Sequence, residues 1–238
     1  MLAASAATAQ FTTTAHDARS GAMGGSLLFA PGTRSLDLGY RQGFLLPGMA
    51  DKQVRLQMPV ASRGSLTASY LHHGNADYLE QQLQACYAMR VAERLAVGVD
   101  ARYLHLGTAD AHYPSHRWLA AAAVAQAYLG RTTLTLLGGT RPWDTARPFR
   151  WHANVLYAAV PQVYTVVAEV ESEDAVRLRM GMEYAYEHRL FVRAGLATRP
   201  MVLTFGLGAR MNRYSIDLAA EVHSSLGITP HLTMTLWL

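Results

Sequence analysis

Histidines are the residues of this sequence most suited to binding a metal ion, and two pairs lie close together in the chain. His72 and His73 are adjacent, and His112 lies four residues before His116. A structural zinc site usually adds cysteine or carboxylate ligands at short spacings. Neither pair has such a set nearby, and both fall near expected loops or strand ends, where solvated histidines are common. We therefore predict no metal site.

A serine, a histidine and an aspartate, the residue types of a nucleophilic triad, lie close together at Asp110, Ser115 and His116. A triad is defined by its geometry, so nearness along the chain is no evidence for one. The single cysteine, Cys86, excludes an intramolecular disulfide and a cysteine-cluster metal site. We predict no catalytic residue, no cofactor and no enzymatic activity.

Two arginines and two glutamates fall on alternate positions of "RLRMGMEYAYEH", residues 177–188, together with Gly181 and Ala185. The charged set includes Arg177, Arg179 and Glu183, and the residues between them are apolar or aromatic. A β-strand places the two sets on opposite faces. The charged face either lines a polar path that suits an anionic headgroup, since arginine offers paired donors, or closes up through ion pairs between strands. The nearly balanced signs favour the ion pairs.

The same alternation recurs along most of the chain and predicts an all-β fold. Glycine, proline, asparagine and aspartate separate about fourteen such segments. Connections such as 211–214 and 186–191 leave room only for hairpin turns, whereas 105–117 and 140–148 are longer. The predicted strands are 34–43, 53–61, 64–73, 78–90, 93–107, 116–129, 131–140, 149–159, 162–171, 175–187, 189–197, 201–211, 214–222 and 229–238.

Composition indicates which face of these strands meets water. Charged residues make up 16% of the chain, and a single lysine, Lys52, stands against twenty arginines, whereas a water-facing surface normally uses lysine freely. Tyrosines stand at strand ends, as in the aromatic girdles of membrane barrels. Strands near ten residues match the length that a tilted membrane strand needs. We predict a transmembrane antiparallel up-and-down β-barrel of about 14 strands (12–14), with a soluble periplasmic β-sandwich binding module as the alternative.

The predicted barrel turns its apolar residues to lipid and its charged residues to the lumen. No basic run exists, although the net charge is +4, so we expect no nucleic-acid partner. The lumen is expected to be polar and crowded. The candidates to line it are Asp100, Arg102, Glu169, Arg177, Arg179, Glu183, Arg193, Arg210, Asp217 and Glu221.

The N-terminus indicates export. Ala7, Thr8 and Ala9 fit the small-x-small pattern that closes a secretory signal, although the charged and most of the apolar part are missing. We interpret residues 1–9 as the remnant of a signal peptide, residues 10–33 as a plug-like segment and residues 34–238 as one barrel domain. A disordered Ala/Thr-rich start is the alternative for the first segment.

Two segments resemble a known family. "HDARSGAMGGS", residues 16–26, resembles the N-terminal signature of outer-membrane barrels of the FadL and PorV type, and the C-terminal third resembles the end of these proteins. FadL is a long-chain fatty-acid transporter, and PorV and PorQ are barrels of the type IX secretion system of Bacteroidota. The resemblance implies fourteen strands and a short plug that enters the lumen. Its plug candidates are Arg19, Gly21, Met23, Gly24 and Gly25.

The resemblance and the residues together lead to two expected roles in the bacterial outer membrane. The first is an accessory or structural component of an outer-membrane secretion or transport assembly, with other outer-membrane proteins as partners. The second is a channel for small hydrophobic molecules. A polar, crowded lumen favours the first role slightly. Outer-membrane lipid is a partner in both.

Overall fold

A computed structural model describes residues 11, 17–25, 33–60, 63–110, 112, 115–172 and 175–238, and nearly all of them belong to β-strands. One short helix, α1, spans Ala18–Ala22, and a 3-10 turn spans Gly43–Leu45. The strands are β1 (Ser35–Gln42), β2 (Ala50–Val60), β3 (Gly64–Gly74), β4 (Tyr78–Ala92), β5 (Leu95–Thr108), β6 (His116–Leu129), β7 (Thr132–Thr140), β8 (Phe149–Val160), β9 (Tyr164–Ser172), β10 (Val176–Tyr186), β11 (Leu190–Ala197), β12 (Val202–Met211), β13 (Tyr214–His223) and β14 (Gly227–Trp237).

The fourteen strands form one closed antiparallel barrel in which each strand pairs with its neighbours in sequence and β1 pairs with β14. All fourteen predicted strands are present, with ends that differ by at most three residues. Closure removes both sheet edges. The prediction of a 14-stranded up-and-down barrel is confirmed, and the alternative of a soluble β-sandwich is wrong because there is one closed sheet rather than two packed sheets.

The alternation of side chains sets the two faces of the wall. Along β10, the outward-facing residues Leu178, Met180 and Met182 are exposed, whereas Arg179 and Glu183 on the inner face are buried. Other strands repeat this pattern, with exposed leucine, valine, methionine and tyrosine outside and buried polar residues inside. This distribution is the reverse of a soluble protein and typical of a barrel with lipid outside. No helix in the described part of the chain is long and apolar enough to cross a membrane.

The two ends of the barrel differ in their connections. At the end where β1 begins and β14 ends, here called the short-turn end, two or three residues separate successive strands. The opposite, long-turn end carries connections of seven residues at 43–49 and 109–115 and of eight residues at 141–148. Outer-membrane barrels place short turns on the periplasmic side and longer loops outside.

Candidate functional site in the barrel lumen

A segment of the N-terminal chain, residues 17–25, lies inside the barrel against β10–β14 and is here called the plug. Asp17 caps α1, since its side chain accepts a hydrogen bond from the backbone N–H of Ser20 at 2.8 Å. Arg55 of β2 lies 3.8 Å from the same carboxylate. Burial alone would raise the pKa of Asp17, but the charge of Arg55 and the hydrogen bonds from Ser20 outweigh it and hold the pKa below 3.8.

Glycines on the inner face of three neighbouring strands make room for the plug. Gly181 of β10, Gly195 of β11 and Gly206 of β12 form what we call the glycine groove. A Cβ atom at Gly181 would lie 2.6 Å from the Cα of Met23, and Cβ atoms at the other two positions would collide with Gly24 and Ala22. Any side chain at these positions would therefore push the plug off the wall.

Side chains of the wall bind the backbone of the plug. The hydroxyl of Thr204 accepts from the N–H of Gly24 at 3.0 Å and donates to the carbonyl of Ala22 at 2.8 Å. Thr233 accepts from the N–H of Ala18 at 2.9 Å. Arg179 donates to the carbonyl of Gly25 at 2.7 Å. These bonds satisfy backbone groups that a short buried helix would otherwise leave unpaired.

A chain of ion pairs joins the plug to the wall. Arg19 binds both oxygens of Glu183, at 2.8 Å and 2.7 Å. Arg193 lies 2.6 Å from Glu183 on one side and 2.6 Å from Asp217 on the other. It reaches from β11 to β13 across Gly208, where a Cβ atom would collide with the carboxylate of Asp217. Alternating charges therefore span β10–β13 beneath the plug.

Further ion pairs lie elsewhere on the inner face of the wall. Arg41 bridges Asp51 at 3.0 Å and Glu221 at 3.2 Å, and His231 lies 3.2 Å from Glu221. Arg102 binds Asp100 at 2.6 Å. These contacts place most of the charge in pairs between carboxylates and arginines, as the nearly balanced signs predict.

The structure places the lumen candidates on the inner face of the wall. Arg177 and Arg179 both bind Glu171, at 2.9 Å and 2.8 Å. Glu169 is buried beside His152. Arg210 is exposed at the short-turn end, where its guanidinium lies over the rings of Phe191 and Trp237.

The plug candidates all lie in the described part of the N-terminal segment. Gly24 and Gly25 have positive φ angles of 76° and 75°, which turn the chain back after α1. Met23 is fully buried against the glycine groove. A Cβ atom at Gly21 would lie 2.9 Å from a ring nitrogen of His231. Residues 1–10, the stretch interpreted as the remnant of a signal peptide together with Gln10, lie outside the described residues.

The histidine pairs and the loop triad considered in the sequence are dispersed. His73 faces the lumen and contacts Asp51, whereas its neighbour His72 lies on the opposite face of β3. Asp110 accepts hydrogen bonds from the backbone and ring of His112, which lower its pKa. His116 stacks on Trp118.

An apolar pocket at the long-turn end of the lumen differs from the predicted polar interior. Leu104 and Leu106 of β5 and Ala120 of β6 are buried there, and Trp143 from the 141–148 connection covers them. The phenyl ring of Phe11 occupies the pocket, with ring centroids 5.5 Å from Trp143 and 5.8 Å from Trp118. The predicted lumen is polar and crowded, and this pocket departs from that pattern because the inner face of β5 changes from charged to apolar after Arg102.

The pocket and the glycine groove left signals in the sequence. Leu104 and Leu106 are in phase with Asp100 and Arg102, so their parity places two leucines on the polar face. Gly181, Gly195 and Gly206 interrupt the polar sets of three strands. Alternation alone does not identify Phe11 or Trp143, because neither belongs to a strand.

Closed wall, apolar exterior and plugged polar interior define the class of this protein as a transmembrane 14-stranded β-barrel. Within that class the fold is that of FadL-type channels. No protein-family model matches the sequence, and neither does any curated protein. Solved structures do match it over nearly their whole length.

The similar structures include a hydrocarbon channel, a toluene transporter and a FadL homologue. The CymD monoaromatic hydrocarbon channel has 11% identity and a TM-score of 0.71, over 94% of this chain and 98% of that chain. The Pseudomonas putida toluene transporter TodX has 10% identity and a TM-score of 0.68, over 93% and 96%. A Pseudomonas aeruginosa FadL homologue has 12% identity and a TM-score of 0.68, over 94% and 98%. At such low sequence identity, these TM-scores show that the fold is shared and nothing more.

Proposed function

We propose that this protein is a non-enzymatic channel of the bacterial outer membrane that binds and passes small apolar molecules carrying one aromatic ring. The observation that carries the proposal is the phenyl ring of Phe11 in the apolar pocket at the long-turn end. A side chain of the protein's own N-terminal segment takes the place that a single-ring hydrocarbon would take. Residue 11 precedes the plug, so a ligand that displaces it acts on the same segment of chain.

The pocket has the chemistry of a site for such a ligand. Its walls are leucine, alanine and two indoles, which hold an aromatic ring by burial and by tilted or edge-to-face contacts. The backbone N–H of Phe11 donates a hydrogen bond to Glu80 at 3.0 Å. That bond anchors the chain rather than the ring, so an uncharged ring without polar groups can replace the phenyl group.

The ladder between β6 and β7 ends beside the pocket. The ladder between β6 and β7 runs only from the pair Ala122–Gly139 toward the short-turn end. Among the residues that the structure describes, β6 residues 116–120 have no strand partner on the β7 side. Trp118 and Ala120 belong to this stretch and line the pocket. We propose that an apolar molecule passes between the pocket and the lipid beside this unpaired part of β6.

Several observations support placement in the outer membrane after export. The exterior is apolar, the connections at the short-turn end are two or three residues long, and one similar solved structure is that of an Acinetobacter baumannii outer membrane protein. Residues 1–9 are proposed to be what remains of the export signal. Outer-membrane lipid is then the partner of the exterior.

A second candidate role rests on the filled half of the lumen. The plug and its ion pairs occupy the space beside β10–β13, which suits a closed barrel that serves an assembly such as the type IX secretion system of Bacteroidota. This role predicts stable copurification with secretion components and no binding of aromatic compounds. The channel predicts the reverse.

Bromobenzene tests the channel because its heavy atom quenches nearby indoles. The purified barrel in detergent is titrated and tryptophan fluorescence is followed. Saturable quenching is expected, the Phe11→Ala variant should bind more tightly because the competing ring is removed, and Trp143→Ala should bind more weakly. Phe205→Ala, on the lipid-facing surface, is the matched control. Linear, non-saturable quenching that is the same in all variants would contradict the proposal.

A further inference from the structure

We infer that His152, Glu169 and Glu171 form a zinc site on the inner wall of the barrel, independent of the aromatic pocket. The three residues lie on adjacent strands, with His152 of β8 directly opposite Glu171 of β9. All three are buried, with His152 only 2% exposed. One ligand atom from each lies within 4.8 Å of the others. Histidines close together in the chain predict no metal site, whereas His152 meets its carboxylates only through strand pairing.

The contact between His152 and Glu169 is a long hydrogen bond, and the spacing of the three residues also suits a shared metal ion. Nδ1 of His152 lies 3.3 Å from a carboxylate oxygen of Glu169 and 3.4 Å from one of Glu171. Hydrogen bonds between nitrogen and oxygen are usually shorter, near 2.9 Å. A tetrahedral zinc ion with ligands at about 2.1 Å separates them by about 3.4 Å. Both measured distances therefore match the edges of a zinc tetrahedron.

The outer oxygens of both carboxylates are held by donors, which leaves the inner oxygens facing His152. Asn154 donates to Oε2 of Glu169 at 3.1 Å. Arg177 and Arg179 bind Oε1 of Glu171. Oε2 of Glu171 is buried and makes no hydrogen bond, although it points at the imidazole. Ligands oriented in this way by outer partners are typical of metal sites.

The local charge favours zinc over calcium or magnesium. Arg177 and Arg179 both bind Glu171 and add positive charge beside the site, so a hard cation that depends on charge gains little. The imidazole nitrogen instead selects a metal with affinity for nitrogen. Three protein ligands leave a fourth position for water or another small ligand. The site lies near the long-turn end of β8 and β9, so it is close to the outer mouth of the lumen.

Zinc titration of the tag-free, full-length barrel in detergent tests the inference. After chelator treatment, calorimetry should show one zinc ion per chain, and calcium and magnesium should not compete. His152→Ala and Glu171→Gln should each lower the affinity at least about tenfold. His72→Ala is the matched control, because its imidazole faces away from the lumen and its loss should change nothing.

Two outcomes would overturn the zinc site. The first is a wild-type barrel that takes up no zinc. The second is a His152→Ala variant that keeps full zinc binding, which would place the bound zinc elsewhere. Unheated gel migration reports whether each variant is folded. If His152→Ala does not fold, zinc K-edge absorption of the wild-type complex decides, because the site requires one imidazole and oxygen ligands. Bromobenzene binding depends on the aromatic pocket and not on these three residues, so neither result changes the test of the proposed channel.

Discussion

Arg19 of the plug and Glu183 of β10 form a two-point ion pair, with Nε 2.8 Å from one carboxylate oxygen and Nη2 2.7 Å from the other. Glu183→Gln removes the negative charge of this pair, while Arg193 retains its ion pair with Asp217. Because the side chain of Arg19 is 41% exposed, we expect plug docking to weaken by about 1 kcal/mol. Single-channel conductance in planar bilayers should rise. Glu93→Gln, in an exposed turn at the short-turn end, is the control, and an equal rise there would contradict the assignment.

Gly181→Ala tests the glycine groove, because the three atoms nearest to its added methyl group all belong to Met23. Overpacking of this kind costs about 1–3 kcal/mol, which falls here on the docking of the plug rather than on the barrel. Trypsin should cleave after Arg19 faster, while the unfolding midpoint of the barrel in urea stays the same. Gly138→Ala meets only the far end of the Phe149 ring and should leave cleavage unchanged. Slow cleavage in both variants would show that the plug does not rest on Gly181.

Acid should release the plug through Asp17. The pKa of Asp17 is held below 3.8, so its ionised form stabilises the docked plug. A carboxylate with a lowered pKa contributes fully above the pKa of the undocked state and loses its contribution as the pH falls through the docked value. Conductance should therefore be constant from neutral pH to about pH 5 and rise below pH 3.8.

The Asp17→Asn variant separates this group from other carboxylates. It should show raised conductance at neutral pH and a smaller rise in acid, because the charge that binds Arg55 is already absent. Asp77→Asn, in the exposed connection between β3 and β4, should keep the wild-type profile. If Asp17→Asn matches the wild type at every pH, Asp17 does not hold the plug.

Leu207→Arg tests the lipid-facing surface. Leu207 is 60% exposed at the middle of β12 and is paired with outward-facing Val192 and Leu218. An arginine at the bilayer midplane destabilises a barrel by about 2–4 kcal/mol. Urea unfolding in lipid vesicles measures the loss. The same change at Leu226, in the turn between β13 and β14, should cost little, and equal stability of the two variants would place Leu207 in water.

The sequence predicts the strands and their faces because both depend on local alternation. Residues 177–188 illustrate this: each arginine and glutamate that the alternation assigns to the inner face within β10 lies there. Which charges meet is a different question. Glu183 faces Arg193 because of the register between β10 and β11, and Arg193 reaches Asp217 because Gly208 leaves space. The register between strands, and which side chain crosses a glycine, depend on closure of the whole sheet. The alternation of residues along one strand does not encode either.

The aromatic pocket and the zinc ligands were beyond prediction for a related reason. Phe11 and Trp143 are 132 positions apart, and their ring centroids lie 5.5 Å from each other only in the folded barrel. His152 and Glu171 are 19 positions apart and meet through strand register. Neither contact has a periodic signal, although leucines on the polar face of β5 mark where the interior becomes apolar.

The glycine groove also has a consequence for the order in which the molecule assembles. The plug is synthesised before any strand, but Thr204, which binds it, follows Gly24 by 180 residues. The surface that binds the plug does not exist until β10–β14 have formed. Contacts between residues so distant in sequence form late in folding. Newly made chains therefore pass through a stage with a nearly complete wall and an unfilled interior. A substitution in the groove would lengthen that leaky stage even where the finished barrel is equally stable.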